Sequence, residues 1–229
     1  MVPSKSAVEA GKEERLEATL RRGLNVAVAL VGIVLTLPLM AIIALLVKLT
    51  SPGPVLFTQP RVGIDRRWGR RAGTDDPRRR QDLGGRIFQI YKFRTMTHGK
   101  GERTPQVWAT PDDPRITRVG ALLRRTRLDE LPQFFNVLRG DMNIVGPRPE
   151  QPAIFQELRG RIDDYQVRQR VLPGITGLAQ VNHHYDQCID DVRIKIRHDL
   201  EYMSRVSTFE DLRIMARTIP VVLFRKGGW

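Results

Sequence analysis

Residues Leu24 to Val47 form an apolar stretch that carries no charged side chain. Wound as a helix at about 1.5 Å per residue, it would extend roughly 36 Å, enough to cross a hydrocarbon core of about 30 Å. A soluble domain of this size rarely offers a surface that buries such a helix all round. The run is too long and starts too late for a signal peptide, and no small-residue cleavage pattern follows it. Membrane association is the first consequence of the sequence.

Two features bear on how the stretch sits in a bilayer. Pro38 lies inside it, removing one intrahelical hydrogen bond and crowding the preceding turn, which predicts a bend. Thr36 is placed to bond back to the preceding turn with its hydroxyl. Both flanks are basic, with Lys12, Arg15, Arg21 and Arg22 before it and Lys48, Arg61, Arg66, Arg67, Arg70 and Arg71 after it. Short flanks rich in Lys and Arg prefer the cytoplasmic side. A broken helix that enters and leaves the cytoplasmic leaflet satisfies both; a kinked spanning anchor satisfies one.

The formal charge of +13 comes mainly from arginine. Such a surface favours anionic lipid, phosphorylated small molecules or nucleic acid. The absence of zinc-finger spacing or a nucleic-acid motif leaves the first two. Cys188 is the single cysteine, which excludes an intrachain disulfide and fits a reducing compartment. His98, His183, His184 and His198 have no metal-ligand spacing and read as surface or packing residues.

The chain divides into a charged tail and interfacial helix over 1–22, the membrane helix over 23–48, and a domain over 49–229. About 180 residues after the apolar stretch suffice for one real core. Thr50-Ser51-Pro52-Gly53-Pro54 makes a rigid exit turn and Val55 to Gln59 a short extended piece. Residues 61–86 hold nine Arg against four Asp and several Gly, a loop suited to lipid headgroups, with Trp68 as an interfacial anchor or a packed residue. Ile87 to Met96 alternates as a strand, with Gln89 and Lys92 on its polar side and Arg94 close behind. Residues 97–117 form a second loop, in which Asp112 and Asp113 read as a turn rather than a metal site. Arg118 to Leu128 is an amphipathic helix. A helix over Pro132–Arg139 begins with proline and stops at Gly140. Phe155, Leu158, Ile162 and Tyr165 mark another helix. Pro173 to Gly177 turns into a short extended run through Val181. Ser207 and Glu210 have capping-box spacing before a helix with Phe209, Leu212, Met215, Ala216, Ile219 and Leu223 on its apolar side. The fold class is α/β, mostly helical with short strands.

Asp129-Glu130, at or just before a helix start, is the strongest chemical feature. Adjacent carboxylates do not share a face inside a regular helix, but at its first residue they can converge. Two such charges call for a cation, and Mg²⁺ held by carboxylates and substrate phosphates is the economical choice. Arg148, fixed between Pro147 and Pro149, is suited to a second phosphate. A carboxylate free to attack phosphorus completes a covalent phosphoryl-transfer site. The bland alternative has Asp129 capping the helix and Glu130 pairing with an arginine.

The proline-broken stretch, Gly53-Pro54-Val55-Leu56-Phe57-Thr58-Gln59, Lys92-Phe93-Arg94-Thr95-Met96, Arg127-Leu128-Asp129-Glu130-Leu131-Pro132-Gln133, Gly146-Pro147-Arg148-Pro149 and Pro173-Gly174-Ile175-Thr176-Gly177 follow one another in order. Over roughly residues 20–225 this resembles the bacterial sugar transferase family, the monotopic polyprenyl-phosphate phosphoglycosyl transferases, in their minimal single-module form. The resemblance implies a re-entrant helix bent at Pro38 and a catalytic domain on the cytoplasmic face of the inner membrane. It implies that Asp129 attacks a UDP-sugar, releases UMP and passes the phosphosugar to polyprenyl phosphate, so starting a membrane-bound glycoconjugate. Glu130 would bind Mg²⁺ and Arg148 a phosphate or nucleotide. Lys92 and Arg94 would lie by the headgroups and polyprenyl phosphate, with Pro147, Thr176 and Gly177 also in the substrate site. Anionic lipids and a homodimer are further expected partners, nucleic acid is not. His183-His184 stands where many members have Gly-Arg, so the sugar is left unspecified. A membrane-tethered scaffold using the basic face is the alternative, and it would tolerate Asp129→Asn.

Overall fold

The computed structural model describes residues 5–66, 83–97, 113–182 and 189–223. Trp68, His98, Asp112, His183, His184 and Cys188 lie outside them, as does most of the arginine-rich loop. The chain is mostly helical with short strands, and one apolar helix, α1 (Lys5–Thr50), dominates its N-terminal part. Tail and apolar stretch form one helix of 46 residues. Ala, Glu, Lys, Leu and Arg fill the early turns, all good helix formers, so nothing before the apolar stretch ends the helix.

The helix also runs through Pro38. The Thr36 hydroxyl bonds back to the Gly32 carbonyl at 2.6 Å. That is not the Val34 carbonyl, four residues before Pro38, which the missing N–H leaves without its helical donor. One face of α1 is packed: Asn25, Ala29, Met40, Ile43 and Val47 are buried. The opposite side leaves Leu30, Val34, Leu35, Leu37, Ile42, Leu45 and Leu49 exposed. A helix this long and apolar, with so little of it covered, is a membrane helix rather than a core helix.

The domain lies along the packed face. β1 (Leu56–Val62) and β2 (Ile87–Phe93) form an antiparallel hairpin in which Phe57 opposes Lys92, Gln59 opposes Ile90 and Arg61 opposes Phe88. The pairing continues past Val62, where Gly63 N–H donates to Arg86 and Arg86 N–H to Ile64, so the loop expected from residue 61 begins later. α2 (Arg118–Arg125) starts at Thr117, whose side chain accepts from Gly120 N–H, and ends earlier than its periodicity suggested, because Arg127 turns left-handed at φ 60°. α3 (Gln133–Arg139) has Pro132 as its N-cap and Gly140, at φ 79°, closing its C-terminus. β3 (Asn143–Val145) pairs in parallel with β4 (Gly174–Thr176). After Gly177 the chain forms α5 (Leu178–Asn182), a helical turn where an extended run was expected. α4 (Pro152–Arg161), α6 (Ile189–Ser204) and α7 (Thr208–Leu223) complete the domain.

Three apolar clusters hold these parts together. Ala29 of α1 packs with Val137, Met142, Ile144, Tyr202 and Ile214. Phe155, Leu158, Ile162 and Tyr165, read from the sequence as one side of a helix, are buried together with Val62, Val192 and Ile196. Met40, Ile43 and Val47 meet Phe93 and Leu123. α7 differs from expectation: Ser207 does cap it, its hydroxyl oxygen accepting from Glu210 N–H at 3.1 Å, but Phe209, Leu212 and Ile219 are exposed while Ile214 and Asp211 are buried. Its apolar side faces away from the core.

Polar ties fix α1 to the domain at both ends. Near its start Arg21 bonds Asp211 at 3.0 Å and Tyr202 at 2.8 Å, and Glu17 accepts from Thr208 N–H. Arg22 covers the Val137 and Leu138 carbonyls at the end of α3. Asn25, the one amide within the apolar stretch, accepts from Ile144 N–H and donates to the Arg21 carbonyl. In mid-helix the Phe134 ring lies 2.8 Å from where a β-carbon on Gly32 would stand, so only glycine lets α3 approach this closely. At the C-terminal end Arg94 donates to Ser51 and Pro52 carbonyls at 2.7 and 2.8 Å.

Candidate active site

Asp129 and Glu130 sit in a single 3₁₀ turn, Leu128–Glu130, between α2 and α3. The left-handed Arg127 reverses the chain before it, and Pro132 starts α3 after it. This is the position at a helix entrance expected from the sequence. Both side chains are buried, with residue exposures of 7% for Asp129 and 8% for Glu130. They have different environments. Glu130 accepts from Lys92 Nζ at 2.7 Å and from Arg148 Nη2 at 2.7 Å, with Arg127 at 3.9 Å. Asp129 Oδ1 is buried with no hydrogen-bond partner among the described residues.

The electrostatics follow from that difference. Burial raises the Glu130 carboxyl, but Arg148 and then Lys92 outweigh it and hold its pKa well below the ordinary range. Burial raises Asp129 too; Lys92 pulls against it and the Glu130 charge adds to it, so its pKa stays above the ordinary value. Burial lowers the Lys92 ammonium pKa, with Glu130 opposing. Two neighbouring carboxylates whose environments push them apart are a signature of division of labour: one fixed as a charge, one available for chemistry.

The structure brings Lys92, Asp129, Glu130 and Arg148 together. Lys92 comes from β2 and Arg148 from the Pro147-Arg148-Pro149 segment that leaves β3. Pro147 shapes that segment through its backbone, its carbonyl accepting from Gly174 N–H at 3.0 Å. Thr176 and Gly177 lie on the neighbouring strand end: Gly146 N–H bonds the Thr176 carbonyl at 2.9 Å, and the Thr176 hydroxyl bonds Thr218 at 2.8 Å. Arg94 is not brought into the cluster. It is 3% exposed, and its guanidinium is committed to the carbonyls of the membrane-helix exit. Strand alternation puts it on the side of Lys92 and away from Gln89; its hydrogen bonds to the Val47, Ser51 and Pro52 carbonyls decide its place. Asp113 pairs with Arg115 at 2.6 Å, as a turn residue would.

Mg²⁺ fits this donor set in one way only. Among the described residues no group of three or more side chains could ligate a metal alone. Asp129 has an unsatisfied oxygen and Glu130 a charge beside it, so an ion drawing its other ligands from substrate phosphates matches the pair.

Residues behind the cluster escaped the sequence reading. Glu150 bonds Lys195 at 2.7 Å and lies 3.9 Å from both Arg61 and Arg168. Arg168 is fully buried, at 2.8 Å from Asp199. A carboxylate directly after Pro149 was a usable signal, whereas Arg61 and Arg168 were indistinguishable from the many other arginines.

Comparison with known proteins shows the family. The model of the family described as bacterial sugar transferase matches residues 16–72 and 75–225. The chain belongs to that family. Among its relatives, the UDP-N-acetylgalactosamine-undecaprenyl-phosphate N-acetylgalactosaminephosphotransferase of Aeromonas hydrophila is 43% identical over 206 residues, 90% of this chain and 44% of that protein. The UDP-glucose:undecaprenyl-phosphate glucose-1-phosphate transferase of Escherichia coli is 39% identical over 87% of this chain and 39% of its own length. A protein of the same description from Caulobacter vibrioides is 40% identical over 93% of this chain and 73% of its own. This bacterial sugar transferase therefore spans less than half the length of the first two. All four residues of the cluster lie within the matched segments.

Proposed function

We propose that this protein transfers a phosphosugar from a UDP-sugar to polyprenyl phosphate, with Asp129 as nucleophile. The observation that carries the reading is the contrast between a buried, unpartnered Asp129 oxygen and a Glu130 locked by Lys92 and Arg148. The relatives' descriptions supply the substrate class.

An Asp129 oxygen attacks the sugar-linked phosphorus, and the bond from that phosphorus to the bridging oxygen breaks. UMP leaves with the electron pair, and the phosphosugar stays on the carboxylate. An oxygen of polyprenyl phosphate then attacks the same phosphorus. The aspartyl bond breaks, Asp129 is restored, and a polyprenyl-diphosphate-sugar is formed. Splitting the transfer lets the water-soluble and lipid substrates visit one carboxylate in turn. Arg148 and Lys92 hold cationic donors beside the reacting group, where they stabilise phosphoryl charge. Mg²⁺, held by Glu130 and the substrate phosphates, would supply neutralising charge for the diphosphate.

The membrane placement belongs to the same proposal. α1 is tied to one domain from Glu17 to Ser51, over roughly 50 Å at 1.5 Å per residue. That exceeds a hydrocarbon core of about 30 Å, so a helix crossing upright would drag the domain through the bilayer. Both basic ends on the cytoplasmic face, with the exposed apolar face in the leaflet and Pro38 as the site of a bend, avoid that. The exposed Phe209, Leu212 and Ile219 of α7 extend the apolar surface. Phe134 on Gly32 sets α3, and with it Asp129, against the membrane helix.

The test is intact mass. Nanodisc-held protein incubated with Mg²⁺ and a panel of UDP-sugars, without polyprenyl phosphate, should gain one phosphosugar. Peptide mapping should place it on Asp129, and Asp129→Asn should gain none. Near-normal product from Asp129→Asn, or an adduct elsewhere, overturns the mechanism.

A further inference from the structure

Arg148 projects from a short segment in which each backbone carbonyl is held. The Pro147 carbonyl accepts from Gly174 N–H at 3.0 Å and the Glu150 carbonyl from Val62 N–H at 2.9 Å. Between them, two buried side chains do the same work. Arg168 Nη2 donates to the Arg148 carbonyl at 2.9 Å, and Arg61 Nη1 donates to the Pro149 carbonyl at 3.0 Å. Two prolines in three residues already restrict this backbone, and four hydrogen bonds from three parts of the chain fix where it lies.

Burying two guanidiniums here is costly without a counter-charge. Asp199 provides it for Arg168 at 2.8 Å, and Glu150, inside the same segment, lies 3.9 Å from both Arg61 and Arg168, with Lys195 closing the group at 2.7 Å. Burial raises the Glu150 carboxyl, and Lys195, Arg168 and Arg61 together bring it down to about 2, so it is charged at neutral pH. Arg61 uses its remaining Nη2 on Gln59 at 2.9 Å, a fork that no lysine reproduces. By strand register Arg61 and Gln59 stand on the same face of the hairpin as Lys92.

We propose that Arg61 and Arg168, with Glu150 and Asp199 as their counter-charges, are positioning residues that set Arg148 against Glu130 and so hold the phosphate-facing cation in place. The inference rests on the phosphosugar-transfer reading for its kinetic consequence, but not for its structural one. Arg61 is the better probe, because its side chain is 15% exposed and Glu150 keeps Lys195 and Arg168 when it is removed.

Two measurements on the full chain in nanodiscs decide it. Hydrogen–deuterium exchange should show faster uptake in peptides covering 143–151 for Arg61→Met, with α7 peptides unchanged. In turnover, Arg61→Met should lower kcat by about 10²-fold, the loss expected when a catalytic group shifts by about an ångström, with the KM for UDP-sugar within about threefold. Arg61→Lys, which keeps charge but loses the fork, should recover part. In an Arg148→Ala background Arg61→Met should cost less than about threefold, since it acts through the group already removed. Unchanged uptake over 143–151, or losses that multiply independently, overturns the proposal. A wild type that forms no adduct with any UDP-sugar refutes the transfer reading instead, while the exchange result still decides the positioning of Arg148.

Discussion

The ionisation of Asp129 governs what its unpartnered oxygen can do. Because burial raises its pKa, a nucleophilic Asp129 predicts that kcat/KM rises with pH along an acid limb centred above the ordinary carboxylate value. Lys92 is the first influence pulling that pKa down, so Lys92→Met should move the limb to higher pH. Glu130 retains Arg148 in that variant and stays ionised. A pH–rate profile of UMP release with saturating polyprenyl phosphate reads this directly; a limb that stays in place after Lys92→Met removes Asp129 as the titrating group. The sequence could point to Asp129-Glu130, because two acids in an arginine-rich chain need a reason. It left open whether each carboxylate was structural. The answer is divided: Glu130 does pair with an arginine, as the bland alternative held, and Asp129 caps nothing that shows a bond to Oδ1.

Secondary structure elements explain which expectations failed. α1, the hairpin strands, α3 and α4 were legible because periodicity, proline and glycine encode them locally. α5 was not, since the few residues after Gly177 carry no period long enough to separate helix from strand. Arg94 shows the limit for single residues: nothing local distinguishes a cation at a headgroup from one that closes the end of a membrane helix. The hydrogen bonds distinguish them. Arg94→Met strips donors from the carbonyls of the buried Ser51 and of Pro52 beside it, a loss of about 3 kcal/mol at roughly 1–3 per orphaned group. For a chain of this size that is roughly 6–12 °C in Tm. Below the melting range the KM for polyprenyl phosphate should be unchanged. A raised KM with an unchanged Tm would return Arg94 to the substrate site.

Two lengths govern how the whole chain meets the bilayer. α1 is anchored to the domain by Arg21 on Asp211 near one end and by Arg94 on Ser51 near the other, a separation of roughly 45 Å along a helix rising 1.5 Å per residue. The hydrocarbon core is about 30 Å thick, so a helix that crossed it and kept both anchors would require an ion pair on one face of the bilayer and backbone-carbonyl hydrogen bonds on the other to join one domain. Charge points the same way, because Lys12, Arg15, Arg21 and Arg22 precede the apolar stretch and Lys48 follows it, and moving either set across is disfavoured. Single cysteines at Lys12 and Thr50, introduced after Cys188→Ser, test this with an impermeant maleimide. In right-side-out vesicles both should be protected, and in inverted vesicles both should react. Reaction of one site in each orientation would mean that α1 crosses, that Pro38 bends a spanning helix, and that one anchor seen here opens when the protein enters the membrane. Protection of both, by contrast, leaves both ends of α1 and the domain on one face, where the proposed mechanism needs Asp129 to meet a nucleotide sugar from water and a lipid phosphate from the same leaflet.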